Sequence, residues 1–201
     1  MKKILTVLFI VALSGAAMAQ QKGRFRIDLE AGPAIPKEGG IGFLFHIEPK
    51  INVADNMSVG IRFGSTALAK DVTYFNITED YEGEIAGNIS VSGTFDYFFH
   101  KEGSNLAPFI GAGFGYYALS SIDVNSDDFN SPDNFGDLEA NFKWAPMLRA
   151  GLELGKFRMG AEYNFIPTSD LQNASGQVIG EAINQYFGFT LGAFIGGGRW
   201  R

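Results

Sequence analysis

Polar and apolar residues alternate along most of the chain after residue 23. Between residues 24 and 32, Arg24, Arg26 and Asp28 interleave with Phe25. A period of two is typical of a β-strand whose two faces meet different environments. The same period predicts seven further strands, over residues 42–53, 57–68, 84–98, 106–119, 142–155, 157–166 and 184–196. No helical period of comparable quality interrupts them, so the sequence predicts an all-β fold.

The two faces of the predicted strands differ in charge. One phase is apolar, from Phe43 and Phe45 in the second strand to Phe189 and Leu191 in the eighth, and holds no charged residue within the predicted spans. The opposite phase holds charges and many glycines. An eight-stranded barrel has an interior only just wide enough to be filled by side chains. The bulky apolar face therefore cannot point inward, and we expect it to meet lipid.

Strand and link lengths favour the same architecture over a two-sheet sandwich. Sandwich strands are usually about 5–6 residues long, whereas strands that cross a bilayer need about 9–11, and most predicted spans match the longer figure. Short turns alternate with the longer links 36–41, 69–83, 120–141 and 167–182. That alternation is typical of an outer-membrane barrel with periplasmic turns and extracellular loops. We predict an eight-stranded antiparallel up-and-down transmembrane β-barrel.

Pro49 lies inside the second predicted strand. Proline cannot donate a ladder hydrogen bond. We expect a β-bulge or an early end to pairing at this position.

The first residues have the order of a secretory signal. Lys2 and Lys3 precede the apolar run 4–13, and Ala17-Met18-Ala19 forms a small-residue cleavage site. The run is too short to span a bilayer, which needs roughly 20 residues. A buried N-terminal helix is the alternative. We expect a cleaved signal peptide over residues 1–19 and a single barrel domain over residues 20–201.

Composition then excludes several classes of function. The expected mature chain holds 14 basic and 22 acidic side chains, a net charge of −8, which argues against a nucleic-acid partner. The chain has no cysteine, so we expect no lipidated N-terminus, no disulfide and no cysteine metal site. We expect no cofactor.

Three segments resemble a known family. Residues 93–99, 108–117 and 186–198 are similar to the outer-membrane β-barrel domain proteins of Bacteroidetes-type bacteria. The likeness covers most of the mature chain and implies a small porin-family-like barrel of the outer-membrane protein A and X type. It implies a Gram-negative outer membrane, contact with its lipids and lipopolysaccharide, and insertion by the barrel-assembly machinery. The chain departs from a common pattern because it ends Trp200-Arg201 instead of on an aromatic residue.

The inward phase carries seven basic and seven acidic residues. Buried charges are costly unless they are paired, so equal numbers in a narrow bore predict an ionic plug that satisfies itself. A lined channel is the alternative. The proposed interior network consists of Arg26, Asp28, Glu30, Glu48, Lys50, Arg62, Asp96, Arg149, Glu153, Arg158 and Glu162.

Candidate chemistry is sparse. Some outer-membrane barrels are lipid-modifying enzymes with a histidine, and His46 is the one plausible candidate here, without a triad-like motif around it. The segment 123–128 begins like a calcium loop, but Asp128 stands where glycine is required and Asn134 where glutamate is required. We predict neither an enzyme nor a metal site.

The outward apolar phase continues beyond the fifth predicted strand and resumes before the sixth. This pattern predicts a β-ribbon of these two strands above the membrane, which could recruit another chain by strand addition. A flexible acidic loop is the alternative. The proposed binding loop consists of Ile122, Asp123, Val124, Asp127, Asp128 and Asp133. We therefore expect a structural or surface-binding role toward an extracellular protein or polymer, and not a large open pore. A narrow channel for small or hydrophobic molecules is the second possibility.

Overall fold

The computed structural model describes residues 22–74, 81–122, 141–172, 178–198 and 200, all in strands, turns and short links. The predicted signal peptide lies outside the described residues, and among those that are described no helix is long and apolar enough to span a membrane. The strands are β1 (Phe25–Pro36), β2 (Gly42–Ala54), β3 (Met57–Tyr74), β4 (Tyr81–Phe98), β5 (Leu106–Ile122), β6 (Asn141–Leu154), β7 (Phe157–Asn164), β8 (Ser169–Gln172), β9 (Val178–Ala182) and β10 (Tyr186–Gly196).

Eight of these strands close into a barrel. Each strand from β1 to β7 pairs antiparallel with the next, and β10 follows β7 in the ring. The ring closes at β1, where Arg26 is paired with Lys50 of β2 on one side and with Gly196 of β10 on the other. The predicted eight-stranded antiparallel up-and-down barrel is confirmed.

The alternation of the sequence decides which face points where. Bulky apolar side chains such as Phe43, Ile61 and Leu191 point away from the barrel and are about half exposed or more. The charged side chains of the same strands point inward, where Arg26 and Glu153 are fully buried. A monomer with a continuous apolar outer surface requires an apolar solvent around it, and only closed barrels and helices span lipid. The outer face is therefore the lipid-facing surface.

The loop end contains more strand than the sequence predicted. The link 69–83 was predicted as a loop, but β3 and β4 run through most of it, with Lys70 paired to Glu84 and Val72 paired to Tyr81. The link 167–182 contains the hairpin β8–β9, and β9 adds to β3. These segments lie above the membrane-facing part of the barrel, where both strand faces can be polar. Alternation of polar and apolar residues therefore could not reveal them.

The predicted ribbon of β5 and β6 is only partly inside the described residues. The pairing of these two strands ends at Leu119 and Asn141. Beyond that point β5 continues to Ile122, and the partner that the structure gives this extension is β4, through Ile85. The remaining residues of the predicted binding loop, 123–140, lie outside the described part. The long ribbon that is described is formed by β3 and β4, which the sequence did not indicate.

Pro49 produces neither of the expected irregularities. Its pairing with Ile27 of β1 is continuous. On the β3 side, pairing stops after Ile47 and resumes at Lys50 in the same register. The missing donor of proline is therefore accommodated by a local gap in one ladder, and the expected bulge is wrong.

Inward glycines make room for the charged side chains. A Cβ atom on Gly111 of β5 would lie 2.7 Å from the carbonyl oxygen of Phe95 and 3.1 Å from Cγ of Arg149, and it would overlap the carboxylate of Asp96. The neighbouring Ala112 points outward and is exposed. Absence of a side chain at Gly111 thus allows Asp96 of β4 and Arg149 of β6, its neighbours on the two adjacent strands, to meet over β5.

The Gly111→Val variant tests this space requirement. We expect it to lower the free energy of unfolding by about 1–3 kcal/mol, the usual cost of overfilling a packed core. Ala112→Val adds the same atoms to the lipid-facing side and should leave stability unchanged. Urea unfolding in detergent micelles, followed by circular dichroism, compares the two. Equal stability of both variants would contradict the packing argument.

Candidate functional site

The interior holds a continuous network of ion pairs. Nine of the eleven predicted residues form it, and each is at most 6 % exposed. Arg26 contacts Asp28 at 2.8 Å and Glu153 at 2.6 Å, and Lys50 links Asp28 at 2.8 Å to Asp96 at 2.7 Å. The network thus begins on β1 and crosses the bore to β4 and β6.

Two arginines on β6 and β7 complete the network. Arg149 of β6 donates two hydrogen bonds to Glu48, at 2.7 and 2.8 Å, and a third from Nε to Asp96 at 2.7 Å. Arg158 of β7 contacts Glu30, Asp96 and Glu153 at 2.8–3.1 Å. Bidentate arginine–carboxylate contacts of this type are the stronger, geometrically specific ion pairs.

Neutral hydrogen-bond donors compensate for a shortage of cations in the network. The network contains five carboxylates, Asp28, Glu30, Glu48, Asp96 and Glu153, but only the four cations Arg26, Lys50, Arg149 and Arg158. The hydroxyl of Thr94 donates to Glu48, that of Thr190 donates to Glu30 at 2.7 Å, and the indole N–H of Trp200 donates to Glu153 at 2.8 Å. Hydrogen bonds to charged acceptors lower the cost of burying the surplus negative charge.

The other two predicted residues form a separate pair. Arg62 of β3 contacts Glu162 of β7, and the same guanidinium nitrogen lies against Nδ1 of His46. Arginine can only donate, so Nδ1 accepts and the imidazole is neutral with its proton on Nε2. His46 is 3 % exposed. It is therefore a partner within the barrel interior, and its surroundings show a hydrogen-bonding role.

An apolar layer closes the lumen toward the loop end. Tyr117 and Tyr186 contribute its largest side chains, and their hydroxyls are satisfied inside: that of Tyr117 donates to Asn164 at 2.8 Å, and that of Tyr186 accepts from Thr66 at 3.3 Å. The layer consists of Ala34, Leu44, Leu68, Tyr117, Leu119, Ala145, Ile166 and Tyr186.

A second apolar layer closes the turn end. It consists of Phe98, Ala107, Phe109 and Trp200. The guanidinium of Arg158 lies 3.6 Å from the ring centre of Phe109, so this layer also contacts the ionic network. The lumen is therefore organised as an ionic middle between two apolar ends.

Sequence reasoning missed both apolar layers. Phe98, Tyr117 and Tyr186 all point into the lumen and are 2 % exposed. Their phase in the strand agrees with the charged residues, and this was the available signal. Trp200 follows the last strand and gave no such signal. The aromatic pairs that do face lipid include Phe114 with Trp144 and Tyr116 with Phe142.

Three carboxylates lie close enough together to ligate one cation. Asp28, Glu30 and Glu48 each bring an oxygen within 4.8 Å of the others. However, Lys50 Nζ lies 2.8 Å from Asp28 and 3.4 Å from Glu48, and Arg158 Nε lies 3.1 Å from Glu30. These protein cations already neutralise the cluster, so the expectation of no metal site stays a prediction.

Comparisons with known proteins agree with this geometry. No protein-family model matches the chain. The chain is 27% identical to outer membrane protein W of Salmonella typhimurium (strain LT2) over 153 residues, which cover 70% of each protein. The chain is therefore similar to small outer-membrane β-barrel proteins. The resemblance to outer-membrane barrels is confirmed, and its Bacteroidetes type stays a prediction.

Solved structures support the same fold. The crystal structure of Neisserial surface protein A matches 87% of the chain and 99% of that protein, with a TM-score of 0.56 and 14% identity. The outer membrane protein OprG of Pseudomonas aeruginosa matches 90% of the chain and 98% of that protein, with a TM-score of 0.57 and 12% identity. At these identities the likeness concerns the barrel alone.

The Arg149→Met variant tests whether the ionic network holds the barrel together. It removes the arginine that contacts both Glu48 and Asp96, and we expect the free energy of unfolding to fall by about 3–5 kcal/mol, as for one broken partner of a buried pair. The matched control is Lys143→Met, which removes a half-buried cation on the same face of β6 outside the network. Urea unfolding in micelles gives both values. A loss no larger than that of the control would contradict the network's role.

Proposed function

We propose that this barrel is an outer-membrane anchor whose binding function lies in its extracellular segments and whose lumen conducts no ions. The filled interior carries the proposal. Nine ionised side chains bridge the bore, and apolar layers lie on both sides of them. A hydrated ion would have to displace paired charges and apolar side chains together, which makes passage unfavourable.

The extracellular end offers a scaffold for contacts with other molecules. There β3 and β4 continue beyond the barrel, and β9 and β8 add to them in the order β4, β3, β9, β8. Loops held by such a rigid scaffold are the usual place for recognition. The predicted binding loop, 122–133, begins at the end of β5, directly beside this sheet.

Charge indicates the class of partner. The three longest links, 69–83, 120–141 and 167–182, together carry twelve acidic side chains and one basic side chain. The short turns at the other end, 54–56, 99–105 and 155–156, carry two of each. Complementary potentials steer association, and like charges repel. We therefore propose a cationic protein or peptide as the partner, in preference to an acidic polymer.

A lateral route for small hydrophobic molecules is the second candidate function. One observation favours it: an apolar groove of about 570 Å³ lies on the outer wall and extends to the inward-facing residues Arg158 and Gly192. Its other lining residues belong to β6, β7 and β10 and include Phe157 and Leu191. Uptake of small hydrophobic molecules by a deletion strain, compared with its complemented parent, tests this route. We propose no enzymatic role, because His46 lies between the two apolar layers.

The first test of the anchor function measures conduction. In planar bilayers we expect the purified protein to give no stable, well-resolved openings of nanosiemens size, because the ionic middle has no free bore. The Arg149→Met variant provides the comparison with a weakened interior. Large stable openings of the unaltered protein would contradict the proposal.

The second test measures charge-dependent binding. Asp127→Asn, Asp128→Asn and Asp133→Asn, combined, should weaken binding of a fluorescent oligolysine peptide to the micellar protein by roughly threefold or more at low salt, with less effect at high salt because salt screens exposed charges. The control is Asp55→Asn with Glu102→Gln, which removes one acidic charge from each of two periplasmic turns. Fluorescence anisotropy gives both affinities. An equal loss in the control, or no loss in the loop variant, would contradict the proposed binding loop.

A further inference from the structure

We propose that the segment after β10 is a stopper that closes the periplasmic mouth of the lumen, with Trp200 as the side chain that fills it. The stopper is defined here as Gly196, the last residue of β10, together with Gly197, Gly198 and Trp200. It lies at the end of the barrel opposite the proposed binding loop, and the inference is independent of the proposed function. The interior is then accessible from the periplasm only when Trp200 leaves this position.

Three consecutive glycines turn the chain inward at the end of β10. Their φ angles are +84°, +69° and +83°, a left-handed conformation that side chains with a Cβ rarely adopt. The N–H of Gly197 donates to the carbonyl of Phe25 at 2.8 Å, and the ammonium of Lys156 donates to the carbonyls of Gly196 and Gly198. The turn is thereby fixed to β1 and to the short turn between β6 and β7.

The pocket around Trp200, here called its seat, provides contacts for the ring of the indole and an acceptor for its N–H. The ring is 2 % exposed, lies 5.0 Å from the ring of Phe98, and stacks on His100 at 4.6 Å with an interplanar angle of 29°. Its N–H donates to Oε2 of Glu153 at 2.8 Å. A buried tryptophan is most favourable when its N–H finds such a partner. The seat therefore fits a flat aromatic ring with one N–H donor.

The two ends of the lumen differ in how they can open. Most side chains of the loop-end layer, such as Leu44 and Leu68, are carried by barrel strands, so they cannot leave without breaking the sheet. Trp200 is carried by a segment outside every strand. Segments outside the sheet open at lower free energy than the strands they adjoin. The turn end is therefore the one that can open while the barrel stays closed.

Departure of Trp200 would expose charged groups. Glu153, which accepts its N–H, also contacts Arg26 and Arg158. An empty seat would thus connect the periplasm directly to the ionic network. The stopper keeps water from this edge of the network and holds Glu153 in place.

Cysteine accessibility tests the stopper, since the chain has no cysteine of its own. Ser58→Cys places a thiol at an inward position near the turn end of β3, where the serine is 1 % exposed. A charged, membrane-impermeant methanethiosulfonate should label it slowly in the parent and about tenfold faster or more with Trp200→Ala, because the local closure is lost. The matched control is Trp144→Ala, which removes the other tryptophan from the lipid-facing surface and should leave labelling slow.

A second thiol separates opening of the mouth from loosening of the barrel. Ser92→Cys lies on the inward face of β4 at 3 % exposure, further toward the loop end. It should stay protected with or without Trp200. Added indole should restore slow labelling of Ser58→Cys in the Trp200→Ala variant, because it refills the seat. Equal labelling of Ser58→Cys in parent and variant, or parallel acceleration at both thiols, would overturn the proposal.

Fluorescence keeps the proposal testable if Trp200→Ala does not fold. Trp144→Phe leaves Trp200 as the single tryptophan of the chain. Its emission should be poorly quenched by aqueous iodide, and Trp200→Phe, which keeps a ring but loses the N–H, should label at Ser58→Cys only slightly faster than the parent. Efficient iodide quenching of Trp200 in the folded barrel would overturn the stopper.

Discussion

The pairing of charges across a bore filled by side chains is the interaction on which the rest of this barrel depends. Lys50 and Arg149 contact Asp96 from two different walls, and Arg158 joins it to Glu153. Burial of one of these charges without its partner is strongly destabilising. Since the partners come from strands far apart in the sequence, the ion pairs specify which walls face each other. Closure of the sheet and closure of the network require the same register.

That network also explains the distribution of glycine. A narrow barrel has a fixed interior volume, and long arginine side chains take most of it. Gly111 lies where Arg149 reaches Asp96, and Gly60 lies where a Cβ would meet Cγ of Lys50 at 2.7 Å. Small residues on the wall and large charged residues across from them thus fill one space together. The lipid-facing surface has no such restriction, and it carries most of the bulky apolar side chains.

Because the interior is closed, the proposed functions belong to the segments at the two ends of the barrel. A filled middle and two apolar ends leave the barrel as a rigid support, and they direct attention to the segments outside it. On the loop side these are acidic and adjoin the extended strands β3 and β4. On the turn side the stopper brings Trp200 against Glu153. The two ends of the molecule therefore differ in chemistry, although the sheet between them is nearly uniform.

The sequence by itself determined the barrel, the inward direction of the charges and the identity of the ionic residues. It could do so because a period of two in a strand assigns every side chain to one face, and because charge cannot face lipid. Tertiary structure alone decided the partners: Arg62 pairs with Glu162 apart from the other nine, and Trp200 enters the lumen. It also decided that β3 and β4 continue above the membrane. Pairing across the bore depends on strand register and tilt, which leave no local signal in the sequence. Strands surrounded by water need no apolar phase, so the extensions of β3 and β4 leave no such signal either.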